Sequence, residues 1–398
     1  MKKIRVSDVR LGMYIHEICG SWMEHPFWKS AFKLDSHKDL MALQSSSVRE
    51  VWIDTTKGLD VAPSITALDE DAAQRQVQTI LGEAAANPKS ASRTTFHEEI
   101  ERARHIHARA KEAVTSMFRE VRMGHALQIN GAMGLVEDIH ESIASNSGAL
   151  LSLVRLKNKD NYTYLHSVAV CALMIALGKQ FGFEGDALRN LGMAGLLHDV
   201  GKMLIPEAVL NKPGRLTDGE FDVIKSHPRL GFEVLEKTTE LDDIVLEVCL
   251  HHHERVDGGG YPDRLSGDNL SLYARMGSVC DVYDAITSER CYKKGWEPAM
   301  AIHKMAEWQE GHFDLRVFHA FVKTVGIYPV GSLVKLKSGR LGVVMDQNAN
   351  SLITPIVKVF FSERFNAHIP PELVDLSNTD DAIASPEDPQ SWGFNLSS

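Results

Sequence analysis

The segment HHHERVDGGGYP, residues 251–262, places three histidines and a glutamate beside a glycine-rich turn. Imidazole nitrogens and carboxylate oxygens are good ligands for transition metals, and glycine lets the backbone turn sharply. A second segment, LLHDVGK, has His198 and Asp199 adjacent near the end of an apolar helical stretch. Because burying an acid with an imidazole is costly without charge compensation, the two segments predict a divalent cation.

Three further segments supply candidate ligands from separate predicted helices. His166 lies in NYTYLHSVAVCALMIALG, and His227 lies in IKSHPRLG, just before a proline. Asp281 and Asp284 are three residues apart in YARMGSVCDVYDAITSER, so they share one helical face. Considered alone, His166 suits a core position and His227 suits a helix end stabilised by the helix dipole. Five helices that all offer such groups favour a shared metal site.

The types of candidate ligand narrow the chemistry. Imidazole with carboxylate and without thiolate suits iron, manganese, nickel or zinc rather than calcium. A shared aspartate can bridge two ions, and two ions about 3.5–4 Å apart form a clamp for in-line displacement at phosphorus. The alternative is a structural polar network without metal, which is disfavoured because unpaired buried carboxylates are costly. The pattern therefore predicts metal-dependent phosphoryl chemistry.

LLHDVGK together with HHERVDGGGYP resembles the HD superfamily of metal-dependent phosphohydrolases, in its HD-GYP branch of bacterial cyclic-di-GMP phosphodiesterases. The resemblance covers residues 160–328. It implies a mainly α fold class: an all-helical HD-type phosphohydrolase core with a small α+β N-terminal domain and a small β C-terminal extension. GMYIHEI, HPFW and VWIDTTKG resemble the small domain of unknown role that often precedes HD-GYP domains.

The resemblance implies a role for each matching residue. The implied metal ligands are His166, His198, Asp199, His227, His252, His253 and Asp281, with Asp199 as the bridge. Asp199 and Lys202 are the implied catalytic residues, and the Lys202 ammonium would polarise the scissile phosphate. The signature loop is Gly260, Tyr261 and Pro262. The implied substrate-binding residues are Lys202, Tyr261, Asp284, Arg290 and Lys293. For Arg290 and Lys293 a solvated helix end is the alternative.

Four nearby residues stand outside this set. Tyr162 occupies the position, four before the first histidine, where three-metal members carry an acid, so a two-metal site is expected. Cys291 replaces a frequent proline and receives no chemical role. His251 precedes the family's histidine pair, and helical geometry is expected to turn it elsewhere. Glu254 is expected to orient a ligand rather than to bind metal.

The resemblance implies hydrolysis of cyclic-di-GMP to linear pGpG by a metal-bridging hydroxide, and it leaves onward cleavage to GMP open. Iron or manganese is the implied metal, with nickel, magnesium or zinc as alternatives. Two rival functions are retained. One is a cyclic-di-GMP receptor or scaffold that binds a GGDEF-type diguanylate cyclase. The other is an HD phosphohydrolase that acts on another cyclic nucleotide.

The composition of the chain indicates which partners and which compartment to expect for the protein that carries this site. The 398 residues carry a net charge of -10 and 44% hydrophobic residues, which fits a globular protein and argues against nucleic acid polymers as partners. Five scattered cysteines indicate a reducing compartment rather than disulfides. We find no apolar run of membrane-spanning length and no signal peptide, so we expect a cytoplasmic protein without a membrane partner. A homodimer is left open.

Changes in pattern along the chain predict five regions. They are a small α+β regulatory or accessory domain (1–65), a linker with one helical piece (66–94), the helical catalytic domain (95–325), a small β extension (326–376) and a disordered tail (377–398). In the first region, GMYIHEI and VREVWIDTT are predicted strands and SHKDLMALQ a helix. In the fourth, a hairpin is predicted around Ser338 and Gly339, with a further strand at TPIVKVFF.

Overall fold

The structure is a computed structural model of the chain. It describes residues 1–20, 27, 31–62, 65, 67–85, 96–125, 127, 129–153, 162–212, 214, 216–288, 295–348 and 351–394. The chain forms two compact units, one of Met1–Gly82 with His303–His312 and one of Glu83–Ile302 with Phe313–Ser398. The boundary between residues 82 and 83 falls inside the predicted linker.

The first unit is built on a small antiparallel sheet. Its strands are β1 Lys2–Arg5, β2 Tyr14–Ile18, β3 Phe32–Lys33, β4 Glu50–Ile53 and β5 Leu68–Asp69, and its helices are α1 His37–Ser45 and α2 Glu70–Ala85, whose last turn passes into the second unit. The strand order is β3-β2-β4-β1-β5. Ser36 caps α1 by accepting the main-chain N–H of Asp39. The two predicted strands and the predicted helix are confirmed, while SWMEHPFWKSAF lies largely outside the described residues.

The second unit contains the helical core. Its helices are α3 Phe96–Arg122, α4 Asn130–Leu153, α5 Tyr162–Phe181, α6 Gly185–Leu197, α7 Glu207–Leu210, α8 Asp218–Lys225, α9 His227–Leu235, α10 Asp243–His251, α11 Leu272–Thr287, α12 Pro298–His312 and α13 Leu315–Val325. A 3₁₀ segment, Val200–Leu204, follows α6. The part of α12 from His303 onward belongs to the first unit. The predicted mainly α fold class is confirmed.

Helix α5 lies in the middle of this core, and its residues 165–178 are all buried. Within the described chain it is the one helix whose length and composition would allow it to cross a membrane, although 78% of that window, Tyr164–Phe181, is buried inside the protein. Gly195 lets α6 approach α5 closely, because a Cβ at this position would lie 2.8 Å from Cys171 Cα. This close crossing brings His166 on α5 near His198 at the end of α6.

The second sheet follows α13. Its strands are β6 Leu333–Leu336, β7 Arg340–Asn348, β8 Ser351–Ser362, β9 Ala367–Asp375 and β10 Ile383–Pro386. They are antiparallel and lie in the order β10-β6-β7-β8-β9. The turn at Ser338 and Gly339 joins β6 to β7, and TPIVKVFF lies within β8. The predicted hairpin and strand are therefore confirmed.

The disordered tail predicted for residues 377–398 is wrong over its described part. β10 pairs with β6, and Trp392 and Phe394 pack on a buried apolar cluster that includes Phe361. The ring centroids of Phe361 and Phe394 are 5.2 Å apart. Local polar composition predicts disorder, but two aromatic side chains that cover an apolar sheet face outweigh it. Residues 395–398 lie outside the described part.

Candidate metal centre

Helices and helix ends bring the predicted metal ligands together in one buried place. They come from α5 (His166), the end of α6 (His198 and Asp199), the start of α9 (His227), the end of α10 (His252 and His253) and α11 (Asp281 and Asp284). Each side chain is at most 5% exposed. His227 begins a helix rather than ending one, because Pro228 occupies the first turn of α9.

Main-chain carbonyls fix the orientation of three imidazoles. Nδ1 of His198, His227 and His252 each lies at hydrogen-bond distance from the carbonyl three residues earlier, at 2.8, 2.7 and 3.0 Å. Because a carbonyl oxygen only accepts, each Nδ1 carries the proton. In the neutral imidazole the lone pair is then on Nε2, and this atom faces the centre of the cluster.

The Nε2 atoms converge on the two oxygens of Asp199. Oδ1 lies 3.2 Å from Nε2 of His227 and 3.7 Å from Nε2 of His252. Oδ2 lies 3.3 Å from Nε2 of His198 and 3.4 Å from Nε2 of His166. Asp199 therefore belongs to two groups of metal-competent residues, one with His227, His252 and His253 and one with His166 and His198, in which all ligand atoms lie within 4.8 Å of one another.

The cluster fits divalent cations. Ligands about 2.1 Å from a shared ion are separated by about 3.0–3.4 Å, which is close to the separations at Asp199. In the described part of the chain, Asp199 Oδ1, Asp281 Oδ2 and His253 Nε2 are buried and have no hydrogen-bond partner. Buried carboxylate oxygens and imidazole lone pairs are costly unless a positive charge lies against them.

The ionisation states also suit metal binding. Burial lowers the pKa of His252 to about 3, and it lowers the pKa of His227 and His253 as well. These imidazoles are neutral near pH 7, with a lone pair available. Burial alone would raise the pKa of Asp199, but the neighbouring Lys202 helps to hold it well below its usual range, so the shared carboxylate is ionised.

His166 differs from the other histidines. Burial lowers its pKa, but hydrogen bonds with three carboxylates outweigh burial and raise the pKa to about 10. Its Nδ1 donates to Asp284 Oδ2 at 2.6 Å, and its Nε2 lies 3.0 Å from Asp281 Oδ1. In the metal-free protein a proton on His166 thus supplies part of the positive charge that an ion would supply.

Lys202 and the signature loop lie beside the cluster. Lys202 Nζ donates to Asp199 Oδ2, and its side chain is 18% exposed. The ring of Tyr261 stacks on the ring of His253, with their centroids 4.7 Å apart. The structure therefore places both residues at the metal centre, and their contact with substrate stays a prediction.

The other residues singled out in the sequence lie away from the ligand cluster, have an untested role or fall outside the described residues. Asp284 is buried against Nδ1 of His166, and its predicted contact with substrate stays a prediction. Arg290, Cys291 and Lys293 lie outside the described residues, as does the side chain of Tyr162. His251 faces Glu247 and Asp263 instead of the cluster.

Sequence reasoning missed the groups that orient the imidazoles. The three carbonyls carry no signal in side-chain identity. Asp284 did carry a signal in the sequence, since it lies one helical turn after Asp281 on α11. Gly201 was also missed: a Cβ at this position would lie 2.0 Å from the carbonyl oxygen of His227. Glycine in HDVGK thus lets the 3₁₀ segment lie directly against the start of α9.

Comparison with known proteins agrees with this class of site. Residues 140–317 match the HD domain, and residues 1–132 match a domain of unknown function, DUF3391. A cyclic di-GMP phosphodiesterase of Pseudomonas aeruginosa is 53% identical over 397 residues, which cover 99% of this chain and 94% of that protein. A 3'3'-cGAMP-specific phosphodiesterase of Vibrio cholerae is 30% identical over 184 residues, 46% of this chain and 35% of that protein.

A solved structure, an HDG"Y"P protein from Bdellovibrio bacteriovorus, is similar with a TM-score of 0.48 and 20% identity, over 80% of this chain and 97% of that one. The HD domain and the likeness along the whole chain define a metal-dependent phosphohydrolase class. The chain belongs to the HD-GYP family of HD-domain proteins, with an N-terminal DUF3391 domain.

Proposed function

We propose that the chain hydrolyses cyclic di-GMP to linear pGpG at a site for two divalent cations. The position of Asp199 carries the proposal, since Oδ1 faces His227 and His252 while Oδ2 faces His166 and His198. A carboxylate shared between two ligand groups suits a pair of ions, and paired ions suit displacement at phosphorus. The Pseudomonas relative, similar along nearly the whole chain, bears the name of this activity.

The protein's own residues have distinct tasks in this reaction. When bound, the cations supply an activated water and stabilise negative charge on the phosphate. The buried imidazoles hold their lone pairs toward the ions because main-chain carbonyls fix their tautomers. Lys202 is partly exposed beside Asp199, so its ammonium can reach a non-bridging phosphate oxygen as charge develops there.

Iron or manganese is the proposed metal, with nickel, magnesium and zinc as alternatives. Imidazole suits iron, nickel and zinc, whereas carboxylate suits manganese and magnesium. Five imidazoles against two carboxylates therefore favour iron over manganese and magnesium. We propose the cytoplasm as the compartment, because the four cysteines of the described chain that are free are also buried, which is usual in a reducing environment.

A second candidate substrate is 3'3'-cGAMP. The observation in its favour is the similarity to a Vibrio cholerae phosphodiesterase named for that nucleotide, which covers about half of this chain. Both nucleotides offer the same phosphodiester to the metal centre. Discrimination between their bases is expected from the predicted substrate-binding residues Arg290 and Lys293.

The test is a timed chromatographic assay with anaerobically purified protein reconstituted with iron or manganese. Cyclic di-GMP and 3'3'-cGAMP are incubated separately, and the control is Asp199→Ala at equal concentration. We expect pGpG from cyclic di-GMP with the wild type alone, and the time course shows whether GMP follows.

Two results would contradict the proposal. Faster cleavage of 3'3'-cGAMP would assign the site to that nucleotide. Binding of cyclic di-GMP without cleavage at full metal occupancy would favour a receptor, or a scaffold for a GGDEF-type cyclase.

A further inference from the structure

We infer that Glu254 is a positioning residue that holds the signature loop against the metal-binding histidines. The inference rests on the proposed function only in taking cyclic di-GMP as the ligand that the loop contacts. Glu254 directly follows His252 and His253 and is 0% exposed, yet it belongs to neither group of metal-competent residues around Asp199. A carboxylate buried so completely needs a polar partner, and because its Oε2 has no hydrogen-bond partner among the described residues, that partner lies on Oε1.

The partner of Glu254 is the far end of the loop. Its Oε1 accepts the main-chain N–H of Asp263 at 2.6 Å. Asp263 lies nine residues further along the chain, directly after Gly260, Tyr261 and Pro262. A hydrogen bond to an ionised acceptor is stronger than one between neutral groups. Glu254 therefore ties the end of the loop to the segment that carries two metal ligands.

Close packing couples this hydrogen bond to the position of the Tyr261 ring. A Cβ on Gly260 would lie 2.5 Å from both the Cα of Glu254 and the carbonyl oxygen of His253, so the loop backbone rests directly on this segment. The N–H of Tyr261 donates to the carbonyl of His253 at 3.2 Å. The Tyr261 ring then stacks on the His253 ring at an angle of 27°. A shift of the loop would move Tyr261 away from a predicted metal ligand.

Other contacts of the loop act at different points from Glu254. Asp257 accepts the main-chain N–H of Gly259 at 2.8 Å within the first half of the loop, and the Gly267 N–H donates to the Val256 carbonyl at 3.0 Å where the two ends of the loop meet. The Asp263 carboxylate pairs with Arg229 at 2.6 Å and with His251 at 3.1 Å. Both pairs involve partly exposed side chains, where solvent screening weakens them. The hydrogen bond from the Asp263 N–H to the buried Glu254 thus anchors the backbone directly after Pro262.

Substrate affinity, rather than metal content, should therefore depend on Glu254. Glu254→Ala removes the acceptor while every metal ligand stays in place. Glu254→Gln keeps a side-chain oxygen that can accept the Asp263 N–H. Glu247→Ala, on α10, is the matched control, because it removes a partly buried glutamate that contacts His251 and not the loop.

The experiment measures metal per chain, amide hydrogen exchange over residues 257–266, and KM and kcat for cyclic di-GMP. For Glu254→Ala we expect unchanged metal content, faster loop exchange and a KM raised about tenfold with kcat within about threefold, as the loss of one charged hydrogen bond would give. Glu254→Gln and Glu247→Ala should match the wild type in all measurements.

Loss of metal from Glu254→Ala would overturn the inference and assign the residue to support of the ligand pair. Unchanged loop exchange, or a defect that Glu254→Gln does not rescue, would overturn it as well. A wild type that leaves cyclic di-GMP intact would contradict the proposed function alone. Loop exchange and metal content would still decide the role of Glu254.

Discussion

Four histidines of the metal centre have Nδ1 engaged by the protein, which directs Nε2 toward the predicted ions. For His198, His227 and His252 the partner is a main-chain carbonyl, and for His166 it is the carboxylate of Asp284. Such partners fix the tautomer and the ring orientation before the metal arrives, and they raise the basicity of the ligand. Substitution of individual residues therefore tests the centre through metal affinity as well as through activity.

Asp284→Ala should weaken metal binding roughly 10- to 100-fold, the usual effect of losing a partner of a ligating histidine. Asp284→Asn should have a smaller effect, because its amide oxygen can still accept the Nδ1–H of His166. Titration of Mn²⁺ into metal-free protein measures both constants. Metal affinity equal to the wild type with a raised KM would instead place Asp284 in substrate binding.

Metal binding should release the proton of His166. The pKa of this residue is raised from 6.5 to about 10 by its three carboxylate partners, although burial opposes them. The protonated form therefore stabilises the metal-free protein fully below pH 6.5, and that contribution is lost as pH rises through about 10. Because the ion must displace this proton, affinity for Mn²⁺ should rise with pH, by up to about tenfold per unit between pH 7 and 9.

Calorimetry of Mn²⁺ binding in two buffers of different ionisation enthalpy counts the released protons. His166→Ala is the control, since its remaining ligands bind without that proton. An affinity independent of pH, with no proton released by the wild type, would contradict this account.

At the scale of elements, close crossings set the distances between the ligands. Gly195 allows α5 and α6 to approach, and Gly201 allows the 3₁₀ segment to lie against the start of α9. These contacts decide whether His166 and His227 both reach Asp199. The separations between these ligand atoms thus depend on the absence of side chains at two positions.

Gly201→Ala should destabilise the fold and weaken metal binding together. Its Cβ would lie 2.0 Å from the carbonyl oxygen of His227, and overpacking of this kind costs about 1–3 kcal/mol or more. Gly219→Ala on α8 is the control, because a Cβ there meets nothing within 4 Å. Denaturant unfolding and Mn²⁺ titration measure both effects. Equal stability of the two variants would show that the backbone moves aside without cost.

Much of this arrangement is predictable from the sequence. Adjacent His198 and Asp199 at the end of an apolar helix, and the pair His252 and His253 before the glycines, predict the metal centre because buried charge requires compensation. The spacing of Asp281 and Asp284 predicts their common face. Their different tasks are not predictable, since they depend on which side of the His166 ring each carboxylate meets.

At the scale of the whole molecule, the end of α12 belongs to the N-terminal unit. Trp52 Nε1 donates to Glu307 Oε1 at 2.5 Å, Lys304 Nζ donates to Glu307 Oε2 at 3.2 Å, and the Lys3 ammonium donates to the Glu307 carbonyl at 3.2 Å. The bonds to Trp52 and Lys3 join residues 255 and 304 positions apart in the chain, which local pattern cannot reveal. The predicted N-terminal domain of residues 1–65 therefore lacked the end of α12, as well as β5 and most of α2.

Glu307→Ala should lower the free energy of unfolding by about 1–3 kcal/mol, because it leaves the Trp52 N–H without its acceptor. Glu310→Ala is the matched control: the residue is exposed near the end of α12, and its loss should cost less than about 0.5 kcal/mol. Thermal unfolding compares the two. Equal effects would argue that the Glu307 contacts contribute nothing to the unit.

If Asp199 joins two metal sites, its substitution should change the metal content of the protein. Protein purified without oxygen is analysed for iron and manganese as the wild type, Asp199→Ala and His227→Ala, with circular dichroism as a check of folding. We predict two ions in the wild type, loss of both in Asp199→Ala, and loss of one in His227→Ala, since His227 faces only Oδ1. A folded Asp199→Ala variant that retains both ions would contradict the shared carboxylate and the chemistry derived from it.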